Sequence, residues 1–140
     1  MIQERVSAKD YPLATKRPQF IKTPTGKNLE DITLENVLSG QIKPEDVRIS
    51  PETLESQAQI AESMNRDALA RNFRRASELI AVPDDRILEI YNSLRPLRST
   101  REELLAIADE LENEYNAEVN AYFVREAAEV YEKAGKLRQD

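Results

Sequence analysis

From residue 33 to the end of the chain, apolar residues recur every three or four positions, the spacing of helices that bury one face. Asn65 breaks or re-caps the run between the first two apolar stripes. The predicted inner faces hold Leu54, Ala58, Ala61 and Met64; Leu69, Phe73, Ala76 and Ile80; Ile87, Ile90, Tyr91 and Leu94; Leu104, Ile107, Ala108, Leu111 and Tyr115; and Val119, Tyr122, Phe123, Glu126–Ala127 and Val130.

Capping residues and prolines predict where these helices begin and end. Thr33 can cap a short helix over Leu34–Leu38, and Pro44 can start another short one. Longer helices are predicted to begin after Ser50, Pro83, the Ser99–Glu102 capping box and Asn116, and the last is predicted to end at Gly135. No segment alternates as a half-buried strand does. We therefore predict an all-α fold of four longer helices plus one or two short helices, preceded by an extended N-terminal arm.

The N-terminal arm, residues 1–32, differs in character from the rest. It contains three of the seven prolines, which prevent a long helix there. Its six basic and four acidic residues give +2, whereas the remaining 14 basic and 22 acidic residues give −8. Tyr11, Leu13 and Phe20 are large apolar anchors, so the arm is predicted to lie against a partner or its own core; a disordered tail is the alternative. The predicted division is arm 1–32 and helical domain 33–140.

The chain contains neither histidine nor cysteine. This disfavours an independent enzyme, because general acid–base catalysis near neutral pH and catalytic zinc sites mostly use histidine. A net charge of −6 disfavours a nucleic-acid surface. No apolar run is long enough to span a bilayer, and the charged N-terminus does not match a signal peptide. We expect a cytoplasmic protein that binds neither membrane nor nucleic acid.

Several polar clusters have both a chemical and an ordinary interpretation. The acidic clusters are typical of helix starts and solvated helix faces, and the arginine clusters are typical of surface or partner contacts. The Gly-Lys pair within residues 23–27 lacks the spacing of a phosphate-binding loop. We therefore predict no catalytic, cofactor-binding or metal-binding residue on this chain. The clusters are Asp84-Asp85; Glu102-Glu103, Asp109-Glu110 and Glu112; Arg66, Arg71, Arg74 and Arg75; Arg95–Arg101; and Thr23–Lys27.

Blocks along nearly the whole chain, from about Val6 onward, resemble the small (gamma) subunit of adenosylcobalamin-dependent glycerol and diol dehydratases. Long blocks in one order are far more specific than a short motif. They include Asp10–Ala14, Asp31–Gly40, Asp46–Ser50, Arg71–Ala76, Ala81–Asn92, Leu94–Pro96, Glu103–Leu111 and Phe123–Ala127. The few residues before Tyr11 make the chain more similar to the glycerol dehydratase branch.

The resemblance implies a non-catalytic subunit that supports the assembly and stability of a larger enzyme. The family converts glycerol to 3-hydroxypropionaldehyde and water, or 1,2-diols to aldehydes, by a radical mechanism. The resemblance also implies large (alpha) and medium (beta) partner subunits in a dimer of heterotrimers, with adenosylcobalamin bound by those other subunits. The alternative from the residues alone is a free-standing helical adaptor that binds another protein.

Overall fold

The computed structural model describes residues 4–140, which form helices and loops with one isolated antiparallel bridge between Lys22 and Asn28. The all-α class is confirmed. Four single 3₁₀ turns precede the first α-helix or lie between later ones: Ala8–Asp10, Pro18–Phe20, Leu29–Asp31 and Pro44–Val47. The helices are α1 (Leu13–Lys16), α2 (Leu34–Leu38), α3 (Pro51–Ser63), α4 (Asp67–Leu79), α5 (Asp84–Ser93), α6 (Arg101–Tyr115) and α7 (Glu118–Ala134).

The described part of the chain has five helices of ten or more residues, one more than the predicted four. Asn65 accounts for a break, because its left-handed backbone (φ 59°) separates α3 from α4. Such a backbone is most accessible to Gly and Asn. The capping of α2 by Thr33 and of α3 by Ser50 is confirmed, as is the end of α7 at Gly135 (φ 68°).

The chain divides into two compact units, of which the first ends at Ser77 and the second covers Glu78–Asp140. In the first unit the N-terminal arm is not a free extension. Val6 and Leu13 are buried with Ile60 of α3, and Phe20 packs against the same cluster. The arm therefore packs against the core of its own chain, which is one of the two contacts predicted for it. The boundary at residue 32 between arm and helical domain stays a prediction.

Polar contacts also attach the arm to α3. The backbone N–H of Val6 donates to Gln59 Oε1 at 3.0 Å, and that of Ala8 donates to Ser63 Oγ at 2.8 Å. Asp10 is buried, and the Arg17 guanidinium 2.9 Å away is the main reason that the pKa of its carboxyl lies below the usual range. These bonds fix a segment in which the prolines allow only short helical turns.

The second unit is built around α6 and α7. Leu104, Ile107, Ala108 and Leu111 of α6 are buried, as the apolar stripe predicts. From α7 the core takes Ala121, Val124 and Ala128, so small residues bring the two helices together. Val82 and Ile90 join the cluster from the α5 region, and Ala117 joins it from the link between α6 and α7. None of the helices described within residues 4–140 is both long and apolar enough to cross a bilayer.

Two predicted caps are wrong. The capping box of α6 is Thr100 with Glu103, one residue beyond the predicted pair, with the Glu103 N–H donating to Thr100 Oγ1 at 3.2 Å. Ser99 is instead buried, and its hydroxyl donates to the Ser93 carbonyl at 2.8 Å. Asn116 ends α6 in a left-handed conformation (φ 52°) and does not cap α7.

Candidate interaction surfaces

The acidic clusters that the sequence singles out have ordinary structural roles at helix starts and in ion pairs. Asp84 and Asp85 lie in the first turn of α5, where carboxylates stabilise the helix dipole. Several acids of α6 pair with arginines of the same unit: Glu103 with Arg138 (2.7 Å), Asp109 with Arg125 (2.8 Å), and Glu110 with Arg86 (3.0 Å). Residues 4–140 contain no group of three or more acids placed to hold a metal ion. The absence of catalytic and ligand-binding residues stays a prediction.

The arginine cluster of α4 divides into different roles. Arg74 Nε donates to Glu55 Oε2 at 3.2 Å, and its Nη2 lies 3.3 Å from Glu62 Oε2, so this arginine ties α4 to α3. Hydrogen bonding from Arg74 is also the main cause of the lowered pKa of Glu62. Arg66 and Arg71 remain exposed and available to a partner. Glu78, on the same helix, accepts a hydrogen bond from the Val119 N–H of α7.

The arginine-rich loop 95–101 is fixed by the C-terminal residues. The Leu97 N–H donates to the Lys136 carbonyl at 2.7 Å, and the Arg138 N–H donates to the Ser99 carbonyl at 2.8 Å. Arg101 lies 3.3 Å from Glu132, whereas Arg95 and Arg98 are exposed. These contacts favour a structural role for the loop. Two of its arginines, Arg95 and Arg98, face the solvent.

The segment Thr23–Lys27 surrounds a buried carboxylate. Asp46 accepts a hydrogen bond from Lys27 Nζ at 2.6 Å and one from the Lys43 N–H at 2.9 Å. Thr25 Oγ1 also donates to Asp46. These donors, Lys27 first among them, hold the pKa of Asp46 far below its usual range. The Gly-Lys pair therefore folds a loop around Asp46, and its lysine already has a carboxylate partner.

We predict that Asp46 makes the fold sensitive to acid. Because its pKa is lower in the folded chain than the ordinary value of 3.8, its contribution is complete above that value. The contribution is lost as the pH falls below 3.8. Asp46→Asn should destabilise the chain at pH 7, and the difference from wild type should shrink only once the pH falls below the ordinary value of 3.8, where the carboxyl of the unfolded chain takes up a proton. Urea unfolding at several pH values measures this.

Glu30→Gln provides the matched control for Asp46→Asn. Glu30 is exposed, and the change removes the same charge without removing a buried acceptor. A pH-independent difference between Asp46→Asn and wild type would contradict the assigned role of the carboxylate.

Large apolar side chains remain exposed in the first unit. A groove of about 680 Å³ is lined mainly by apolar residues of α3, α4 and the loops beside them, with Arg66 at its edge. Phe73, predicted as an inner residue of α4, is half-buried there against Ala58, Ala61 and Ala70. The exposed large apolar residues of the groove are Tyr11, Ile49, Met64 and Leu69, each more than a third exposed.

The α2 region exposes a second apolar group. Leu34 and Leu38 are exposed to 74% and 78%, and Val37 between them is also exposed. Val47 in the following turn is exposed as well. Single exposed apolar residues are ordinary, but several on one short element are typical of a contact surface.

The large apolar residues predicted to lie on the inner face of α7 mostly point outward, although Val119 is half-buried. Tyr122 and Val130 are exposed to 69% and 54%, and Phe123 is also exposed. The buried face holds Asn120, Ala121, Val124 and Ala128. The prediction failed because α7 is apolar on two faces, and the smaller residues allow the closer approach to α6. A helix with two apolar faces normally has a neighbour on each.

These observations define the class of protein: a small helical chain whose exposed apolar surfaces are typical of a subunit. Comparison with known proteins makes the class specific. Residues 6–138 match the model of the family described as "Dehydratase small subunit". The chain belongs to this family, as the sequence blocks indicated.

Two curated relatives are similar over most of their length. The propanediol dehydratase small subunit of Salmonella typhimurium (strain LT2) is 63% identical over 131 residues, and that of Citrobacter freundii is 62% identical over 131 residues. In both cases the match covers 94% of this chain and 76% of the relative. Both names refer to propanediol; the predicted closeness to the glycerol branch stays a prediction.

Proposed function

We propose that this chain is the non-catalytic small subunit of a cytoplasmic, adenosylcobalamin-dependent diol or glycerol dehydratase. The observation that carries the proposal is the sequence identity of 62–63% to two propanediol dehydratase small subunits. The exposed apolar groups on both units support it, because such groups are typical of surfaces covered by a partner. The reaction is the radical conversion of a 1,2-diol or glycerol to an aldehyde and water.

The proposed partners are the large and medium subunits, arranged as a dimer of heterotrimers. In this arrangement the small subunit holds the assembly together and does not contact the reacting atoms. The ionic groups of this chain fit a structural and non-catalytic role, because the ion pairs of Arg74, Arg86 and Arg125 join helices within a unit.

We assign adenosylcobalamin to the other subunits. When bound there, the cofactor supplies the radical that starts the reaction. The residues of this chain do not fit such a large polar group: its apolar groove has Thr53, Gln57 and Arg66 as the main polar lining. No step of the reaction is therefore attributed to a side chain of this subunit.

Reconstitution of activity tests the proposal. Large and medium subunits are expressed with and without this chain, and aldehyde formation from 1,2-propanediol and from glycerol is measured with adenosylcobalamin present. We expect full turnover only with all three subunits and none from this chain alone. Turnover by the isolated chain, or unchanged activity and stability of the other two without it, would contradict the proposed role.

The alternative function, a free-standing helical adaptor, has the same exposed apolar groups in its favour. It predicts that the chain does not associate with large and medium dehydratase subunits in cell extract. Purification of the tagged chain under native conditions separates the two functions, because only the first predicts both subunits in fixed proportion to the chain.

A further inference from the structure

The outward face of α7 combines apolar residues with carboxylates. At about 100° per residue, Val119, Phe123 and Val130 fall within one arc of about 40° along the helix. Glu118, Tyr122, Glu126 and Glu129 occupy the adjoining arc. The outward face is thus an apolar strip with Tyr122 beside it and a row of acids along one side. We call this set of seven residues the α7 outer face.

The carboxylates of the α7 outer face differ from the paired carboxylates of α6, which are Glu103, Asp109, Glu110 and Glu112. Across residues 4–140, Glu118, Glu126 and Glu129 form no ion pair, whereas Glu132 on the same helix pairs with Arg101. Glu118 lies in the first turn, where it also stabilises the helix dipole. Glu126 and Glu129 lie well beyond the first turn, where that effect has faded.

The charge of the α7 outer face restricts what can cover it. With Lys133 included, its three acids and one base give −2. A second copy of the chain would bring the same acids against each other, and each copy carries a net charge of −6. Like charges across an interface oppose association. The favoured occupant is therefore a different polypeptide with an apolar patch and basic side chains beside it.

We propose that the α7 outer face binds one of the larger dehydratase subunits through an apolar patch on that subunit bordered by lysine or arginine. Tyr122 and Val130 supply the apolar contact, and Tyr is frequent among residues that dominate binding at interfaces. Glu126 and Glu129 supply electrostatic complementarity, which sets orientation and association rate. The inference rests on the proposed function, since it takes the dehydratase subunits as partners.

Salt-dependent retention of the subunit tests the inference. The chain is co-expressed with the other two subunits, a tag on the large subunit captures the complex, and the retained small subunit is measured at rising NaCl. Tyr122→Ser with Val130→Ser should remove most of the small subunit from the complex. Both side chains are exposed, so the helicity of the chain, measured by circular dichroism, should be unchanged.

A charge reversal gives an independent variant with a matched control. Glu126→Lys should weaken retention about tenfold or more at low salt, as loss of a charged contact at an interface can. This difference from wild type should diminish at about 1 M salt, where the screening length is about 3 Å. Glu114→Lys makes the same charge change at an exposed position on α6 and should leave retention unchanged.

The outcomes separate this inference from the proposed function. If wild type is retained but the α7 variants are retained equally well, the α7 outer face is not the contact and the subunit assignment stands. If Glu126→Lys strengthens retention, the partner surface is acidic and the inference is wrong. If sedimentation shows a dimer of the chain that Tyr122→Ser abolishes, a second copy is the occupant. If wild type itself is not retained, the proposed function fails, and this inference fails with it.

Discussion

Leu104→Ala should reduce the free energy of unfolding by about 3–5 kcal/mol, the upper part of the range for leucine truncation in a core. Leu104 is fully buried in the cluster that joins α6 to α7 and α5. Truncation removes the transfer free energy of three carbon atoms and leaves a cavity that the surrounding side chains fill only in part. Guanidinium unfolding followed by circular dichroism measures the loss.

Leu88→Ala is the matched control for Leu104→Ala. It makes the same chemical change in the same unit, but Leu88 on α5 is 63% exposed. We expect a change within about 0.5 kcal/mol, as for other surface substitutions. Equal losses from the two variants would show that the core of the second unit is not where the structure has it.

Glu78→Ala should reduce the free energy of unfolding by about 1.5–3 kcal/mol, the range for hydrogen bonds to a charged group. Glu78 Oε1 accepts from the Val119 N–H at 3.0 Å, and its Oε2 accepts from the Asn120 N–H at 3.0 Å. Asn120 Nδ2 also donates to Glu78 Oε2 at 2.7 Å. The residue before α7, Ala117, offers no side-chain cap, so Glu78 satisfies the first N–H groups in its place.

Hydrogen exchange distinguishes this cap from a general electrostatic effect. In Glu78→Ala the amides of Val119 and Asn120 should exchange faster than those near the middle of α7. Glu114→Ala, which also removes one carboxylate from the second unit, should leave both amides protected. Unchanged protection in Glu78→Ala would mean that the bonds to Glu78 contribute little.

The local pattern of the sequence predicts most of the helices correctly. Leu104, Ile107 and Leu111 are buried as their spacing indicates, because α6 has a single apolar face. On α7 the same reasoning selects the wrong face, since it favours large residues such as Tyr122 and Phe123. Packing against α6 favours Ala121 and Ala128, which allow the two backbones to approach.

Contacts between distant residues account for the two wrong caps. Ser99–Glu102 and Thr100–Glu103 both match the capping-box pattern, so spacing alone cannot choose between them. The choice depends on Ser99, whose carbonyl accepts from the Arg138 N–H at 2.8 Å, 39 positions along the chain. In the same way, the cap of α7 comes from Glu78, 41 residues before Val119.

The functional assignment came from a different kind of information. The missing histidine and cysteine, together with the outward acids, indicated a chain without its own active site. They could not indicate a dehydratase, because the proposed function places the substrate, the cofactor and the reacting groups on other subunits. The ordered sequence blocks supplied the family, and the exposed apolar residues supplied candidate contacts.

Native mass spectrometry of the co-expressed complex tests the central claim most directly. The large, medium and small subunits are produced together, purified through a tag on the large subunit, and weighed intact. We predict one dominant species that contains two copies of each of the three subunits. A complex of large and medium subunits that lacks this chain, with the chain present as a separate species, would contradict the account.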